Sequence, residues 1–256
     1  MTDILAYEQP LNERIRSFLR LETLFIKFAF HVNHGSMWDN PAAIDVILDL
    51  LSFTSRSDLK IEAIKELEHQ HSRLERLTRR PQIDQSQLDS VLDQQMRLID
   101  KFKSHSGQLC QETQAVELLN AIRQKSSVPG CICDFDLPVF KYWLTQPEDI
   151  KRTQLEHWFA PFQILKEAID LILKILRQST NETEQIAHKG FYQQAMDTNQ
   201  AAQLLRILVP DGADFYPEIS AGKHRFSLRF LTNFNPETRP EQSMDDISFR
   251  LSICAV

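Results

Sequence analysis

The chain has 256 residues, 42% hydrophobic and 25% charged, which is the balance of a folded protein of one large domain or two modest ones and excludes a disordered chain. Its 35 acidic residues outnumber 29 basic ones for a net charge of −6, which argues against a protein that coats nucleic acid. Only six glycines occur, none clustered, so no phosphate-cradling loop is present.

The apolar run at residues 169–176 is broken by Asp170 and Lys174, so no membrane span of about 20 residues is expected. Residues 1–8 carry acids and no basic-then-apolar block, so no signal peptide is expected either. Cys110, Cys131, Cys133 and Cys254 are then read as reduced thiols.

In chain order, Pro10 and Asn12 announce a first helix. Its apolar positions Leu11, Ile15, Phe18, Leu19, Phe25, Ile26 and Phe28 recur at three- and four-residue steps, and the turn His34-Gly35-Ser36 ends it. Asn40 before Pro41 reads as the cap of a second helix carrying Ile44, Ile47, Leu48 and Leu51. Ser57 is expected to cap a third, with the stripe Ile64, Leu67, His71, Leu74 and Leu77, ending at Pro81. Asp84-x-x-Gln87 is a capping-box variant for a fourth, with Leu88, Val91, Leu92, Ile99 and Phe102 on one side. A fifth helix is expected over residues 112–124 and a turn at Val128-Pro129-Gly130. Residues 131–135 read as extended, and Pro138 starts a short helix through Trp143. A long helical stretch over 148–178 is interrupted at Pro161.

From Lys189 onward the period falls to two. Phe226, Leu228 and Phe230 alternate with Arg225, Ser227 and Arg229. Ile247, Phe249, Leu251 and Ile253 alternate with Ser248, Arg250, Ser252 and Cys254. Leu205, Ile207 and Val209, with Arg206 pointing the other way, give a third strand, and residues 190–193 a fourth. The expected fold class is α+β, mostly α: an N-terminal helical bundle over 1–185 and a small C-terminal antiparallel β-sheet domain over 186–256. Its apolar face must be covered by the helices or by a second subunit.

Little in this pattern argues for catalysis. Cys131-Ile132-Cys133 has no matching Cys/His pair downstream for a closed metal site, and no cofactor is expected. There is no Gly-x-Ser-x-Gly or His-Glu-x-x-His. Asp245 and Asp246 read as a solvated turn, and His71, on an apolar stripe, as a satisfied core histidine. What stands out is basicity against the acidic background. Residues 223–231 hold Lys223, His224, Arg225 and Arg229 and no acid, and Arg206 and Arg250 join them if their strands are neighbours. Arg16 and Arg20, four apart, share a face of the first helix. Arginine on a wet strand face is a common guard against edge pairing. It also suits a carboxylate-bearing peptide, because the guanidinium fork pairs bidentately.

Several motifs occur together and in order. They are Pro10-Leu11-Asn12-Glu13-Arg14-Ile15-Arg16-Ser17-Phe18-Leu19-Arg20-Leu21-Glu22, Ser127-Val128-Pro129-Gly130, Phe135-Asp136-Leu137-Pro138 with Trp143-Leu144, Gly190-Phe191-Tyr192-Gln193, and Tyr216-Pro217-Glu218-Ile219-Ser220 followed by Arg225-Phe226-Ser227-Leu228-Arg229-Phe230. In this the chain resembles the ZapD family of bacterial cell-division proteins over nearly its whole length. The resemblance implies a cytoplasmic, non-enzymatic homodimer, recruited to the mid-cell division ring, with a helical and a small β domain. It implies that the protein binds the C-terminal tail of the tubulin-like GTPase FtsZ and bundles its filaments, with no nucleic acid or membrane partner. Carried onto this sequence, the family's basic positions are Arg16, Arg20, Arg56, Lys141, Lys223, Arg225 and Arg229, to which the strand pattern adds Arg206. One departure is Gly130-Cys131, where the family has Gly-Gly. The residues by themselves leave three other classes open: an enzyme with a cleft between helical and β parts, a nucleic-acid binder using the arginine stripe, against which the acidic net charge weighs, and a helical adaptor for another acidic peptide.

Overall fold

In the computed structural model, which describes residues 4–56, 58–76, 84–105, 107, 109–126, 135–197, 201–222, 224–232, 235 and 237–255, the chain begins with a strand that sequence reasoning missed, β1 (Ile4–Pro10). Helices α1 (Glu13–His34), α2 (Asp39–Arg56), α3 (Leu59–Glu75), α4 (Gln85–Ser104), α5 (Gln111–Gln114), α6 (Glu117–Lys125), α7 (Pro138–Leu144), α8 (Glu148–Phe159) and α9 (Gln163–Arg177) follow. Then come β2 (Thr183–Ala187), β3 (Phe191–Ala195), β4 (Leu204–Pro210), β5 (Phe215–Ala221), β6 (Arg225–Thr232), β7 (Glu241–Gln242) and β8 (Ile247–Cys254). The chain forms two compact units, Met1–Phe18 with Leu173–Val256, and Leu19–Ile172. The expected division at residue 185 put the N-terminus with the helices. Pairing puts it with the strands: β1 is antiparallel to β4 along its whole length, from Ile4 opposite Pro210 to Pro10 opposite Leu204.

The helix boundaries follow local chemistry. Asn12 Oδ1 accepts the Ile15 N–H at 2.8 Å and opens α1. Gly35, at φ +62°, follows its last residue. Asp84 accepts from Ser86 and Gln87 N–H at 3.0 and 3.2 Å and opens α4 as expected. Other starts shift. Helix α2 begins at Asp39, so Asn40 lies inside its first turn and donates to Glu148 Oε1 at 2.9 Å. Asp58 stands at the cap of α3 with no side-chain cap bond, and Ser57, Leu77, Pro81 and the expected turn and extended run at 128–134 lie outside the described residues. The single helix expected over 112–124 is two, α5 and α6, because Val116 is extended. Asn120 Nδ2 donates to the released Gln114 carbonyl at 2.9 Å. Pro161 sits in a 3-10 turn, Ala160–Phe162, between α8 and α9.

The helical unit closes on Phe25, Ile44, Ile47, Leu50, Leu67, Phe102, Phe162 and Ile169, all buried. Phe28 stacks on Phe159 at 4.0 Å between centroids. His71 Nδ1 lies 3.2 Å from Gln95 Oε1 and Nε2 lies 3.4 Å from Glu75, a satisfied histidine as expected.

At the α1–α2 turn, His31 Nδ1 lies 2.7 Å from Asp39 Oδ1, and Asp39 Oδ2 accepts the Ser36 N–H at 2.9 Å. The bond to His31, then those to Ser36, lower the Asp39 carboxyl from 3.8 to about 2. A carboxyl depressed on folding stabilises the fold above its unfolded value, and that contribution is lost as pH falls from about 3.8 toward about 2. The stability gap between the parent chain and Asp39→Asn is therefore expected to hold steady above this window and to close within it. Melting temperatures of both, measured against pH, check this; a gap unchanged at pH 2 would contradict it.

The strands form two sheets, β1-β4-β8-β2 and β3-β6-β5, with β7 pairing the end of β6 beyond β3. Their apolar faces meet. Leu205, Ile207, Val209, Phe249 and Leu251 of the first sheet share one core with Phe226, Leu228 and Phe230 of the second, and Phe230 lies 5.1 Å from Phe249. The sequence called for helices or a second subunit to cover a single sheet. Missing β1, β2 and β5 concealed that the strands cover one another's apolar faces in a two-layer sandwich, while the outer side of the first sheet is buried too, at Leu204, Leu208 and Cys254, where Arg177 of α9 reaches Glu8 of β1. The alternation of β8 holds through Leu251 and then gives way: Ser252 and Cys254 are buried and Ile253 only half-buried.

The two sheets are joined at His188-Lys189-Gly190-Phe191, a tight turn with φ +50° at Lys189 and +66° at Gly190, closed by the Phe191 N–H to the His188 carbonyl at 3.0 Å. The acidic pair read as a solvated turn anchors it. The Asp245 carbonyl accepts the Gly190 N–H at 2.9 Å, and Asp246 accepts the Lys189 N–H at 2.9 Å and lies 3.0 Å from His188. The bond from Lys189, then that from His188, hold the Asp246 carboxyl below its ordinary range.

Candidate functional site

Strand β6 carries its apolar residues into the sandwich core and turns Arg225, Ser227 and Arg229 outward, as the alternation predicts. Register then decides what stands beside them. Phe191 and Glu218 flank Arg229, Gln193 and Ser220 flank Ser227, and Ala195 flanks Arg225. Arg225 is exposed and makes no ion pair with any described residue. Arg229 Nη1 lies 3.5 Å from Glu218 Oε2, and its Nε donates to Gln242 Oε1 at 3.3 Å. Both members of that ion pair are about half exposed, so it contributes at most about 1 kcal/mol and orients the guanidinium without neutralising it. Phe191 is 42% exposed next to it. The face thus offers two arginine forks and one aromatic ring, which suits an extended peptide with carboxylates and an apolar side chain.

Arg206 and Arg250 do not join this face. They sit on β4 and β8, in the other sheet, and point away from the shared core. Arg206 Nε lies 2.9 Å from Glu8 Oε1, and the other oxygen of Glu8 lies 2.7 Å from Arg177 Nη2. Burial alone would raise the Glu8 carboxyl, but the bond and charge of Arg177, then those of Arg206, outweigh it and hold it below the usual value. Arg206 therefore ties β4 to β1 and to the end of α9. Arg250 pairs with Glu182.

Of the remaining candidates, Arg16 is half-buried on the first turns of α1, with Nε 3.5 Å from Glu13, and Arg20 is exposed one turn on. Arg56 is the last residue of α2. Lys141 is exposed on α7, whose outer side also shows Val139 and Tyr142. Lys223 lies outside the described residues. Sequence reasoning missed Phe191, Glu218 and Gln242, because only the pairing of β3, β5 and β7 with β6 makes them neighbours of Arg229.

Cys110 and Cys254 are free and buried, and burial pushes their thiols up to about 12 and about 11. Among the described residues no group of three or more His, Cys, Asp or Glu could hold a metal ion, and no helix is long and apolar enough to cross a membrane. Cys131 and Cys133 lie outside them.

Against known proteins, the family model ZapD, described as a cell division protein, matches residues 19–229. The chain is 38% identical over 255 residues to a protein of Methylococcus capsulatus named cell division protein ZapD, covering 99% of each chain. It is 35% identical over 253 residues to the protein of that name from Nitrosomonas eutropha, covering 99% of this chain and all of the relative. With its namesake from Chromobacterium violaceum it shares 33% over 251 residues, 98% of this chain and 99% of the relative.

Proposed function

The chain belongs to the ZapD family of cell-division proteins, and from that premise we propose that it binds the C-terminal tail of FtsZ and cross-links FtsZ filaments into bundles that build the division ring. In this reading the protein acts without catalysis, in the cytoplasm at mid-cell, as a symmetric pair with one tail site on each copy. The observation that carries the reading is the exposed pair Arg225 and Arg229 on one strand face, with Phe191 beside them. Arg16, Arg20, Arg56, Lys141 and Lys223 are proposed as further cationic contacts to the polymer. Arg206 is left out, since Glu8 holds its guanidinium. Each contact can be weak, because a filament displays many tails and the second engagement is effectively intramolecular.

The test is low-speed sedimentation of GTP-polymerised FtsZ from the same source, with and without its C-terminal tail. Pelleting of the full-length polymer alone is the expected result. Pelleting of both would move the site off the tail, and pelleting of neither by folded protein would overturn the reading.

A further inference from the structure

Each sheet ends in two edge strands, β1 and β2 in the first and β3 and β5 in the second. An edge strand presents unpaired N–H and C=O groups that template another strand, and folded proteins blunt such edges with charges and prolines. Three of the four are blunted. Strand β1 carries Glu8 and Pro10, β2 carries Glu184, and β5 carries Pro217 and Glu218. Strand β3, Phe191-Tyr192-Gln193-Gln194-Ala195, carries neither charge nor proline, and it lies directly beside the arginine strand β6.

The ladder fixes which backbone groups of β3 are left over. The Phe230 N–H donates to the Gly190 carbonyl and the Met196 N–H to the His224 carbonyl, both at 2.8 Å. Alternate residues bond in an antiparallel pair, so Gly190, Tyr192, Gln194 and Met196 turn their backbone groups to β6. Phe191, Gln193 and Ala195 turn theirs to the open side. The Phe191 N–H closes the turn on the His188 carbonyl, and no described residue bonds the N–H or C=O of Gln193 or Ala195. Tyr192 points into the core, its ring centroid 5.3 Å from that of Phe249, while the side chains of Gln193 and Ala195 are exposed. The edge is thus accessible along its backbone and on its outward face.

We infer that the tail is held by strand addition: an extended, carboxylate-bearing peptide segment pairs with the open edge of β3 at Gln193 and Ala195 and turns its acidic side chains toward Arg225 and Arg229. The inference rests on the tail-binding reading for the identity of the peptide and adds how the peptide is bound. Neighbouring strands lie about 4.8 Å apart, so the added strand lies about 9.6 Å from β6. Only the methyl group of Ala195 stands between it and Arg225, so the arginine and a carboxylate side chain close that gap between them. At the other end of β3, the exposed ring of Phe191 is offered to an apolar side chain of the peptide. Main-chain bonds then supply affinity, and the side-chain contacts supply preference for a sequence. Charge selects the occupant. A second copy of β3 brings two further arginines to the same face, whereas an acidic peptide neutralises those already there.

The test is amide hydrogen exchange, read residue by residue by NMR on the full chain, with and without a synthetic peptide of the FtsZ C-terminal tail whose binding is measured by calorimetry. In the free protein the amides of Gln193 and Ala195 are expected to exchange rapidly and those of Tyr192 and Gln194 slowly. Saturating peptide is expected to slow Gln193 and Ala195 by about 10-fold or more and to leave the other two as they were. Ala195→Pro removes an outward donor and keeps the bonds to β6, so it is expected to weaken tail binding by about 5-fold or more with both arginines in place. N-methylation of successive peptide residues is expected to abolish binding at alternate positions only. Peptide binding that leaves Gln193 and Ala195 in rapid exchange, or that tolerates N-methylation equally at every position, overturns strand addition and leaves the tail reading standing. Absence of peptide binding overturns both. Protection of the two amides that appears without peptide and grows with protein concentration gives the edge to a second copy and overturns the inference. If Ala195→Pro does not fold, exchange in the parent protein decides.

Discussion

Reversing both arginines of the β6 face, Arg225→Glu with Arg229→Glu, is expected to abolish sedimentation of FtsZ polymers while the protein keeps its fold. Both side chains are exposed and neither contributes to the sandwich core, so the fold should persist, with the melting temperature lowered by a few degrees because Arg229→Glu exchanges the Glu218 ion pair for two carboxylates opposite each other. A charge-assisted hydrogen bond is worth about 1.5–3 kcal/mol, so losing one at each position weakens tail binding by at least about 100-fold, and the new carboxylates add repulsion. Arg206→Met is the informative contrast. It removes one partner of Glu8, which Arg177 still holds, so stability should fall while the affinity for a tail peptide stays unchanged. Normal bundling by the double variant, or equal loss of tail binding by both proteins, would remove the β6 face from the mechanism.

Gly190→Ala is expected to be the most damaging small substitution in the sandwich. Gly190 has φ +66°, and a Cβ there would lie 2.6 Å from the Ser243 carbonyl oxygen and 3.1 Å from that of Phe230. Both neighbours are backbone. The Ser243 N–H itself bonds the Phe230 carbonyl, and the Phe230 N–H bonds the Gly190 carbonyl, so none can yield alone. The left-handed conformation costs roughly 1–2 kcal/mol and the clash roughly 1–3 more, about 3 kcal/mol together. For a protein of this size that lowers the melting temperature by about 6–12 °C. Gly212→Ala separates the two causes. It has φ +77°, but nothing lies within 4 Å of its would-be Cβ, so only the conformational cost of roughly 1–2 kcal/mol should appear. Equal losses in the two variants would show that the close approach at Gly190 is relieved by the structure.

The elements most legible in the sequence were those whose causes lie within a few residues of one another. Asp84 capping α4, Gly35 closing α1, Pro138 opening α7, Pro161 dividing α8 from α9 and the alternation of β6 depend on the local backbone and on a period of two or of three and a half. The in-order motifs from the first helix to β6 likewise placed the chain in its family, and the matched model and relatives bear that out. What failed needed partners distant in the chain. Ile4–Pro10 is a strand because β4 lies alongside it some 200 residues later. The α5–α6 break follows from the extended backbone at Val116. Arg206 and Arg225 read alike as outward arginines of alternating strands, yet one is clasped by Glu8 and the other is exposed on a different sheet. Phe191 borders Arg229 only through the register of β3 on β6. Sequence period determines which way a side chain points, because pleat and helical turn are properties of the local backbone. Tertiary structure alone decides which side chains share a surface, because that depends on which strands find each other and in what register, and the energy that selects the register comes from a core assembled from segments far apart in the chain.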